Sequence, residues 1–406
     1  MIRHFFLFLA LTGISAFAQD HAQLAANDSA FDTLAIQHRG RIKPFLSFAQ
    51  EITTSICGRS SVSIPNIGKI GSRQLILSLW LNPAGWENEP ILLVDDPALR
   101  RELSLPGDTR LFSPRRLAGI AKLTELSRQA ELSRASGARA ETLPLPAAAQ
   151  TVSLRLRLFS SLVSGDAFRV VPCPSGSSAG APWSSPGNPF SLDQLLEQQK
   201  NADFSQPKIQ LEVAYLKFHP FRWAWIAWLL SAIFLLIAGR DPKHRLLSWG
   251  RNLAHLGLLL LIAGFAARIW IAGRPPVTNM YESILWVAFG AGLFAVFFSI
   301  RHRTPIYLLA ASPVVILALV ASDLQPAVLD PSLNPLVPVL RSNFWLTIHV
   351  LTITLSYGAF ALATALAHFL VFRALQRRFR PAQDDSLVHH LYRCLQIGVL
   401  LLATGV

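Results

Sequence analysis

The chain has 406 residues, of which 51% are hydrophobic and only 15% charged, and its net charge is +13. An average soluble protein is far less apolar, so the composition predicts a membrane protein with a more polar first half. The positive charge does not indicate a nucleic-acid partner, because the sequence has no single basic stripe with interleaved aromatic residues. Many arginines lie instead in short loops between apolar runs, where they orient a membrane protein.

The first 18 residues predict a cleavable secretory signal. Arg3 precedes an apolar core at Phe5–Leu11, and the segment ends in the small residues Ala16 and Ala18. Residues 19–217 should therefore form an extracytoplasmic domain.

That exported part contains two of the three cysteines, Cys57 and Cys173. Oxidation is allowed outside the cytoplasm, so the two thiols either pair or remain free, and their spacing does not decide between these. Cys394 lies at the start of an apolar run and is expected to be a buried small residue.

Local patterns predict a small mixed α/β domain over residues 19–217. Pro44–Gly58 has proline at its first turn and glycine just past its end, as a helix does. Ile91–Val94 is a candidate strand, Leu117–Ala135 a second helix, and residues 172–189 a loop rich in Pro, Gly and Ser. The exported part has no Cys-x-x-Cys, phosphate-binding loop or His-Glu-x-x-His motif.

Residues 218–406 predict a polytopic α-helical membrane domain with about six transmembrane helices. Loops after the first, third and fifth runs hold eleven basic residues, and the alternate loops hold only Arg274 and Arg341. The positive-inside rule places the first set in the cytoplasm of a bacterial cell, in agreement with an exported front half. Five complete spans are predicted, at about 221–239, 252–272, 281–300, 305–322 and 344–372.

The sixth predicted span begins at Leu391 and has only 16 residues before Val406. A helix needs roughly 20 residues to cross a bilayer, so this span is predicted to be incomplete.

His349 is the candidate functional residue of the fifth predicted span. It lies five residues after Phe344, in a run without charge that continues to Phe372. Ionisable side chains within spans are rare and usually functional, and the predicted orientation places His349 near the outer face.

Several stretches around His349 are similar to cytochrome c biogenesis proteins of the CcsA/ResC type, the membrane subunit of the system II haem lyase. The exported segment Ile36–Ala49 adds a shorter match to fused members of that family. The stretches in the membrane domain are Gly273–Ser283, Ser342–Val350, Ser356–Phe360, Leu391–Gly398 and Leu402–Gly405.

The resemblance implies a function in cytochrome c maturation, with haem b (iron protoporphyrin IX) as cofactor and a subunit of cytochrome c synthase as the enzyme class. Haem would be held at the outer face of the cytoplasmic (inner) membrane by two histidines that flank a tryptophan-rich segment. It would then be attached to Cys-x-x-Cys-His of an apocytochrome c. The implied partners are that apocytochrome, haem, the lipid bilayer and a ResB/CcsB-type subunit or its fused equivalent, without nucleic acid.

His349 aligns with the first outer histidine of that family. The tryptophan-rich segment and the second outer histidine do not follow in this sequence, so we expect the chain to be truncated before them and to lack half of the haem site. The alternative for His349 is a hydrogen bond between helices as a packing contact.

Two more residues are candidates for the cofactor site. Trp345, one helical turn from His349, could stack on a porphyrin or anchor the helix at the membrane interface. Glu282 stands three residues after Asn279, the spacing of a capping box, and could also border the haem. His255 and His368, near the other ends of their spans, are expected to be structural rather than a second haem site.

A second function from a different class remains open. The chain could be a cofactor-free membrane transporter or scaffold with a structural histidine. Inverted repeats and paired broken spans, which mark many secondary transporters, do not stand out in the sequence.

Overall fold

The computed structural model describes the chain in nine segments and divides it into two compact units, Met1–Val213 and Ala214–Val406. Each unit is described by itself. The described residues are 28–65, 67–136, 143–173, 181–187, 190–239, 244–325, 328–335, 344–376 and 381–406.

In its described residues, the first unit is mainly helical and carries three antiparallel two-stranded sheets. After a 3-10 helix at Asp28–Thr33, its first elements are β1 (Ala35–His38), β2 (Arg41–Pro44), α1 (Phe45–Cys57), β3 (Ser61–Ile64), β4 (Gly68–Gly71) and α2 (Ser72–Leu81). A 3-10 turn at Trp86–Asn88 leads to β5 (Leu92–Leu93), α3 (Pro97–Glu102), β6 (Leu111–Phe112), α4 (Pro114–Ala118), α5 (Ala121–Ala135), α6 (Pro144–Val163) and α7 (Leu192–Lys200).

The β1–β2 hairpin closes through two residues in the left-handed region, Arg39 at φ 49° and Gly40 at φ 77°. Such a turn matches the twist of the two strands that it joins. The register pairs His38 with Arg41 and Ile36 with Lys43, so the basic side chains of β2 lie on the same face of the hairpin as His38.

The predicted helix at Pro44–Gly58 is confirmed. Pro44 is the N-cap of α1, and Gly58 ends the helix at φ 74°. The other predicted helix is interrupted, because residues 117–135 contain the end of α4, a break at Gly119 and Ile120, and then α5. The candidate strand is shorter than predicted, since only Leu92 and Leu93 pair with β6.

An aromatic core stabilises the first unit. The rings of Trp80 and Phe168 stack at 4.2 Å between centroids, and Phe45, Phe48 and Trp86 are fully buried beside them. Cys57 lies in this core as a free thiol, and burial raises its pKa to about 12. Cys173 is also unpaired, and its thiol donates to the carbonyl of Pro182 at 2.9 Å.

α8 (Gln206–Phe218) begins within the first unit and ends within the second. The second unit is a bundle of long helices, which are α9 (Pro220–Ala238), α10 (Arg245–Ala272), α11 (Met280–His302), α12 (Ile306–Leu324), α13 (Phe344–Leu375) and α14 (Pro381–Gly405). Six stretches in the described part are long and apolar enough to cross a membrane, which confirms a polytopic membrane protein. These stretches are 206–238, 245–272, 280–302, 306–324, 348–375 and 385–405.

The last helix begins earlier than predicted. It starts at Pro381 rather than at Leu391, and its candidate span Asp385–Gly405 has 21 residues. The interpretation of a short, 16-residue span was therefore wrong. The predicted span began at Leu391, whereas the helix also includes the preceding polar turns, which carry Asp385, His389 and His390.

Glycines set the contact between α9 and α10. Three glycines on α10 recur every seven residues, and each faces a large side chain of α9 that recurs at the same interval. A Cβ on Gly257 would lie 2.6 Å from the ring of Trp228. Apolar burial gives little drive for helix association in lipid, so close approach at small residues supplies the packing. The three pairs are Gly250 with Leu235, Gly257 with Trp228 and Gly264 with Phe221.

The approach of α11 to α13 is closer still. A Cβ on Gly358 would lie 2.8 Å from backbone atoms of Gly290 and Ala291. On the other side of α13, Gly398 of α14 accommodates the ring of Phe360. These contacts fix α13 between its neighbours.

Candidate functional site

Six ends of the described helices lie at one end of the bundle, which we call the His349 end. Because the helices alternate in direction, α10, α12 and α14 end there, and α9, α11 and α13 begin there. Direct contacts support this arrangement: Arg222 near the start of α9 makes a bidentate pair with Asp323 of α12, at 2.9 and 2.8 Å.

His349 lies at the start of α13 and is exposed. Its Nδ1 contacts the backbone carbonyl of Gly405, at the end of α14. The carbonyls of the last helical turn have no partner within their own helix, so an imidazole N–H is a suitable donor for one of them. This tautomer leaves Nε2 of His349 as the nitrogen with a free lone pair.

Trp345 belongs to the first turn of α13. Its side chain lies outside the described residues, as do those of residues 344, 346 and 347. The prediction that Trp345 stacks on a porphyrin therefore stays a prediction.

Glu282 lies in the first turn of α11 and is the centre of a buried ion cluster. Asn279 caps α11 by accepting from the Glu282 amide at 2.8 Å. The Glu282 carboxylate is fully buried, with Arg268 donating to Oε1 at 2.8 Å and Arg274 to Oε2 at 2.9 Å. The amide and the hydroxyl of Thr278 also donate to Oε2, each at 2.9 Å.

We call Arg268, Arg274 and Glu282 the arginine–glutamate cluster. Both arginines are buried, at 1% and 6% exposure. Asn279 caps α11 as predicted, but the Glu282 carboxylate accepts from the amide of Thr278 and not, as a capping box requires, from that of Asn279. The carboxylate lies among protein donors rather than at an open surface. A role beside the haem would consequently act through these neighbours.

The cluster also holds the loop between α12 and α13. Arg268 donates to the carbonyl of Pro331 at 3.0 Å, and Arg274 donates to that of Asn334 at 3.0 Å. Asn279 donates to the carbonyl of Asp330 at 3.1 Å. Three side chains from residues 268–279 thus bind three carbonyls of one short segment.

Arg268 is the member that sequence reasoning missed. It sits within an apolar run, four residues before the end of α10. An arginine inside a predicted span needs a partner in the bundle, and this signal was present in the sequence.

The histidines at the opposite end make no comparable site. His368 bonds through Nδ1 to the carbonyl of Thr364 on its own helix, at 2.8 Å. His302, expected in a loop, is the last residue of α11, and its ring lies 3.9 Å from that of His390. Within the described residues, no group of three or more His, Cys, Asp or Glu side chains could hold a metal ion.

Comparisons with known proteins match both parts of the chain. Residues 277–406 match the family described as cytochrome C assembly protein. The chain is 25% identical over 425 residues to the protein NrfI of Wolinella succinogenes, and the match covers 91% of this chain and 44% of that protein.

Two further relatives match a shorter part of the chain. Cytochrome c biogenesis protein CcsA of Prochlorococcus marinus (strain NATL2A) is 33% identical over 160 residues, which cover 39% of this chain and 49% of that protein. CcsA of Synechococcus sp. (strain CC9902) is 36% identical over 186 residues, covering 38% of this chain and 60% of that protein. The chain spans about half the length of the relatives that it matches. The matched segment carries Glu282, His349 and Gly405 in order, and residues 277–406 of this chain are similar to the cytochrome C assembly family.

Proposed function

We propose that this chain handles haem at the His349 end of its bundle, for attachment to apocytochrome c during cytochrome c maturation. The match of residues 277–406 to the cytochrome C assembly family supports a role with haem. One observation carries the assignment to His349: the ring is exposed, and its Nδ1 contacts the Gly405 carbonyl. An imidazole held in this way presents Nε2 to an iron ion, as histidine ligands generally do.

The protonation state of the His349 imidazole suits a porphyrin iron. The imidazole is neutral when Nδ1 donates and Nε2 is unprotonated, which is the form that binds iron. The proposed cofactor is haem b, whose vinyl groups accept the cysteine thiols of the apocytochrome. Residues of this chain would hold and orient the reactants, and orientation alone can supply much of a rate enhancement.

The proposed site faces the outside of the cytoplasmic membrane. Eleven basic residues flank the opposite helix ends, against Arg274 and Arg341 in the loops at the His349 end, and basic loops favour the cytoplasm. The first unit would then be extracytoplasmic. A ResB/CcsB-type subunit, or this first unit in its place, is the proposed partner in the synthase.

Absorption spectroscopy of the protein purified from membranes tests the assignment. We expect a Soret band in the wild-type protein and its loss in His349→Ala, with partial return when imidazole is added. His368→Ala is the matched control, because His368 is exposed on the same helix but about 28 Å away at 1.5 Å per residue. A wild-type protein without a Soret band would favour a cofactor-free transporter or scaffold. An equal haem content in His349→Ala and His368→Ala would mean that His349 is not the haem ligand.

A further inference from the structure

The arginine–glutamate cluster has more positive than negative charge. Arg268 and Arg274 share the one carboxylate of Glu282, and all three side chains are at most 6% exposed. A buried ion group persists only when its geometry and hydrogen bonds offset the loss of hydration. Both oxygens of the Glu282 carboxylate accept hydrogen bonds from protein donors, so we expect the cluster to be rigid.

The cluster ties together two loops and two helices. Arg268 belongs to α10 and Glu282 to the first turn of α11. Arg274 lies in the loop between these helices, and the segment 330–334 is bound through its carbonyls. Loss of the carboxylate would release all of these connections at once, because they share one centre.

A second contact carries this rigidity to the helix of His349. Trp286 lies four residues after Glu282, so it is on the same side of α11. Its indole Nε1 donates to the carbonyl of Leu351 at 3.2 Å. Leu351 is two residues after His349, within the same turn of α13.

The close approach of α11 and α13 holds the two helices in one register. Gly290 and Gly358 meet with no space for a Cβ between the backbones. A helix fixed at its start by Glu282 and along its length by these glycines transmits its position to α13. The alignment of His349 depends on that position.

We infer that Glu282, Arg268 and Arg274 are positioning residues for the haem site, acting through α11 and Trp286 on the placement of His349. This inference rests on the function proposed above. It gives these residues a role without contact to haem, since the carboxylate is enclosed by protein donors.

A positioning role for Glu282 and a role as haem ligand predict different results for its substitution. Glu282→Gln should retain haem, because His349 remains, but should bind it in several orientations. We expect broader or split ligand signals in the electron paramagnetic resonance spectrum of the ferric protein. Maturation of cytochrome c in complemented cells should fall about tenfold or more, since misplacement by about 1 Å can cost up to 10²-fold.

Conservative and control variants make the test specific. Glu282→Asp keeps the charge and should recover part of the maturation that Glu282→Gln loses. Asp323→Asn removes another ion pair at the same end, between α9 and α12, and should leave spectrum and maturation unchanged. A double variant of Glu282→Gln with Trp286→Phe should be less severe than the product of the single effects, because both act along one connection.

The outcomes separate the inference from the proposed function. If His349→Ala keeps its haem, the proposed function fails whatever Glu282 does. If His349→Ala loses haem while folded Glu282→Gln matches wild type in spectrum and maturation, the positioning role is wrong. Should Glu282→Gln not be extractable as folded protein, Glu282→Asp and Trp286→Phe decide, and wild-type behaviour of both would overturn the inference.

Discussion

Each of the two units contains a buried group of ions, and the two groups are built differently. In the first unit, Lys43 is fully buried and pairs with Glu51 at 2.5 Å. On the same face of the hairpin, Arg41 makes a bidentate pair with Glu212, at 2.8 and 2.6 Å. Two cations thus face two carboxylates, whereas the membrane cluster sets two cations against one.

The difference follows from what surrounds each group. The ions of the first unit lie beside an aromatic core that stabilises its fold independently. In the membrane unit, lipid is as apolar as the helix surfaces, so hydrophobic burial gives little reason for helices to associate. The packing of the membrane unit therefore depends more strongly on the Glu282 carboxylate, because the cluster around it connects two helices and two loops.

Removal of each central carboxylate should give the largest effects and tests this comparison directly. Glu282→Gln leaves two buried guanidiniums without a counter-charge and should cost about 3–5 kcal/mol, the range for breaking a buried ion pair. Glu51→Gln should cost about 3 kcal/mol, at the low end of that range, because Glu212 remains beside the cations. Denaturant and detergent titrations of the purified protein measure both, and a larger loss for Glu51→Gln than for Glu282→Gln would contradict the comparison.

A methyl group at the α11–α13 contact should have the next largest effect. Gly358→Ala places its Cβ 2.8 Å from the backbone of Gly290, and backbone atoms cannot rotate away as a side chain can. We expect a loss of about 1–3 kcal/mol, as for other overpacked sites. Gly250→Ala is the matched control, because its new Cβ meets the flexible side chain of Leu235. A smaller loss there is expected, and the opposite order would contradict the packing described.

Acid should weaken the first unit through His38, Lys43 and Glu51, which we call the hairpin cluster. Burial lowers the pKa of His38, although Glu51 lies 3.8 Å away. The unfolded chain therefore gains a proton below about pH 6.5 that the folded chain resists, and stability falls as the pH falls. Burial alone would raise the pKa of Glu51, but His38 and Lys43 outweigh it and hold it at about 2.

The Glu51 contribution is thus complete above about pH 4.5 and is lost as the pH falls towards 2. Hydrogen exchange of the amides in residues 35–57, measured from pH 7 to pH 3, should show protection decreasing in these two steps. His38→Gln should remove the upper step and Glu51→Gln the lower one. A flat profile in the wild-type protein would contradict the cluster.

The smallest effect is expected where an ion pair is open to solvent. Arg222 is 45% exposed in its pair with Asp323. Such pairs contribute below about 1 kcal/mol, so Asp323→Asn should shift the unfolding midpoint little in a detergent titration. A loss as large as that of Glu282→Gln would mean that burial is not what separates the two pairs.

Local patterns in the sequence determined most of the helices. An apolar run longer than a bilayer is thick can satisfy its backbone only as a helix, so five spans were predicted close to their observed bounds. Proline before Phe45 and glycine after Cys57 predicted α1 for equally local reasons. The sixth span was predicted too short because its first turns are polar. Polar residues often mark the end of a helix, but a helix can also continue through them, as it does before Leu391.

Only the tertiary structure decided how charges and helices meet. The sequence predicted that Asn279 caps α11. The pairing of Glu282 with Arg268 and Arg274, however, required α10 to end beside the start of α11. The contact of His349 with Gly405 joins residues 56 positions apart, and no local pattern encodes such a distance. Side-chain partners across helices depend on helix rotation and close approach, which are set by packing at positions such as Gly290 and Gly358 rather than by residue type alone.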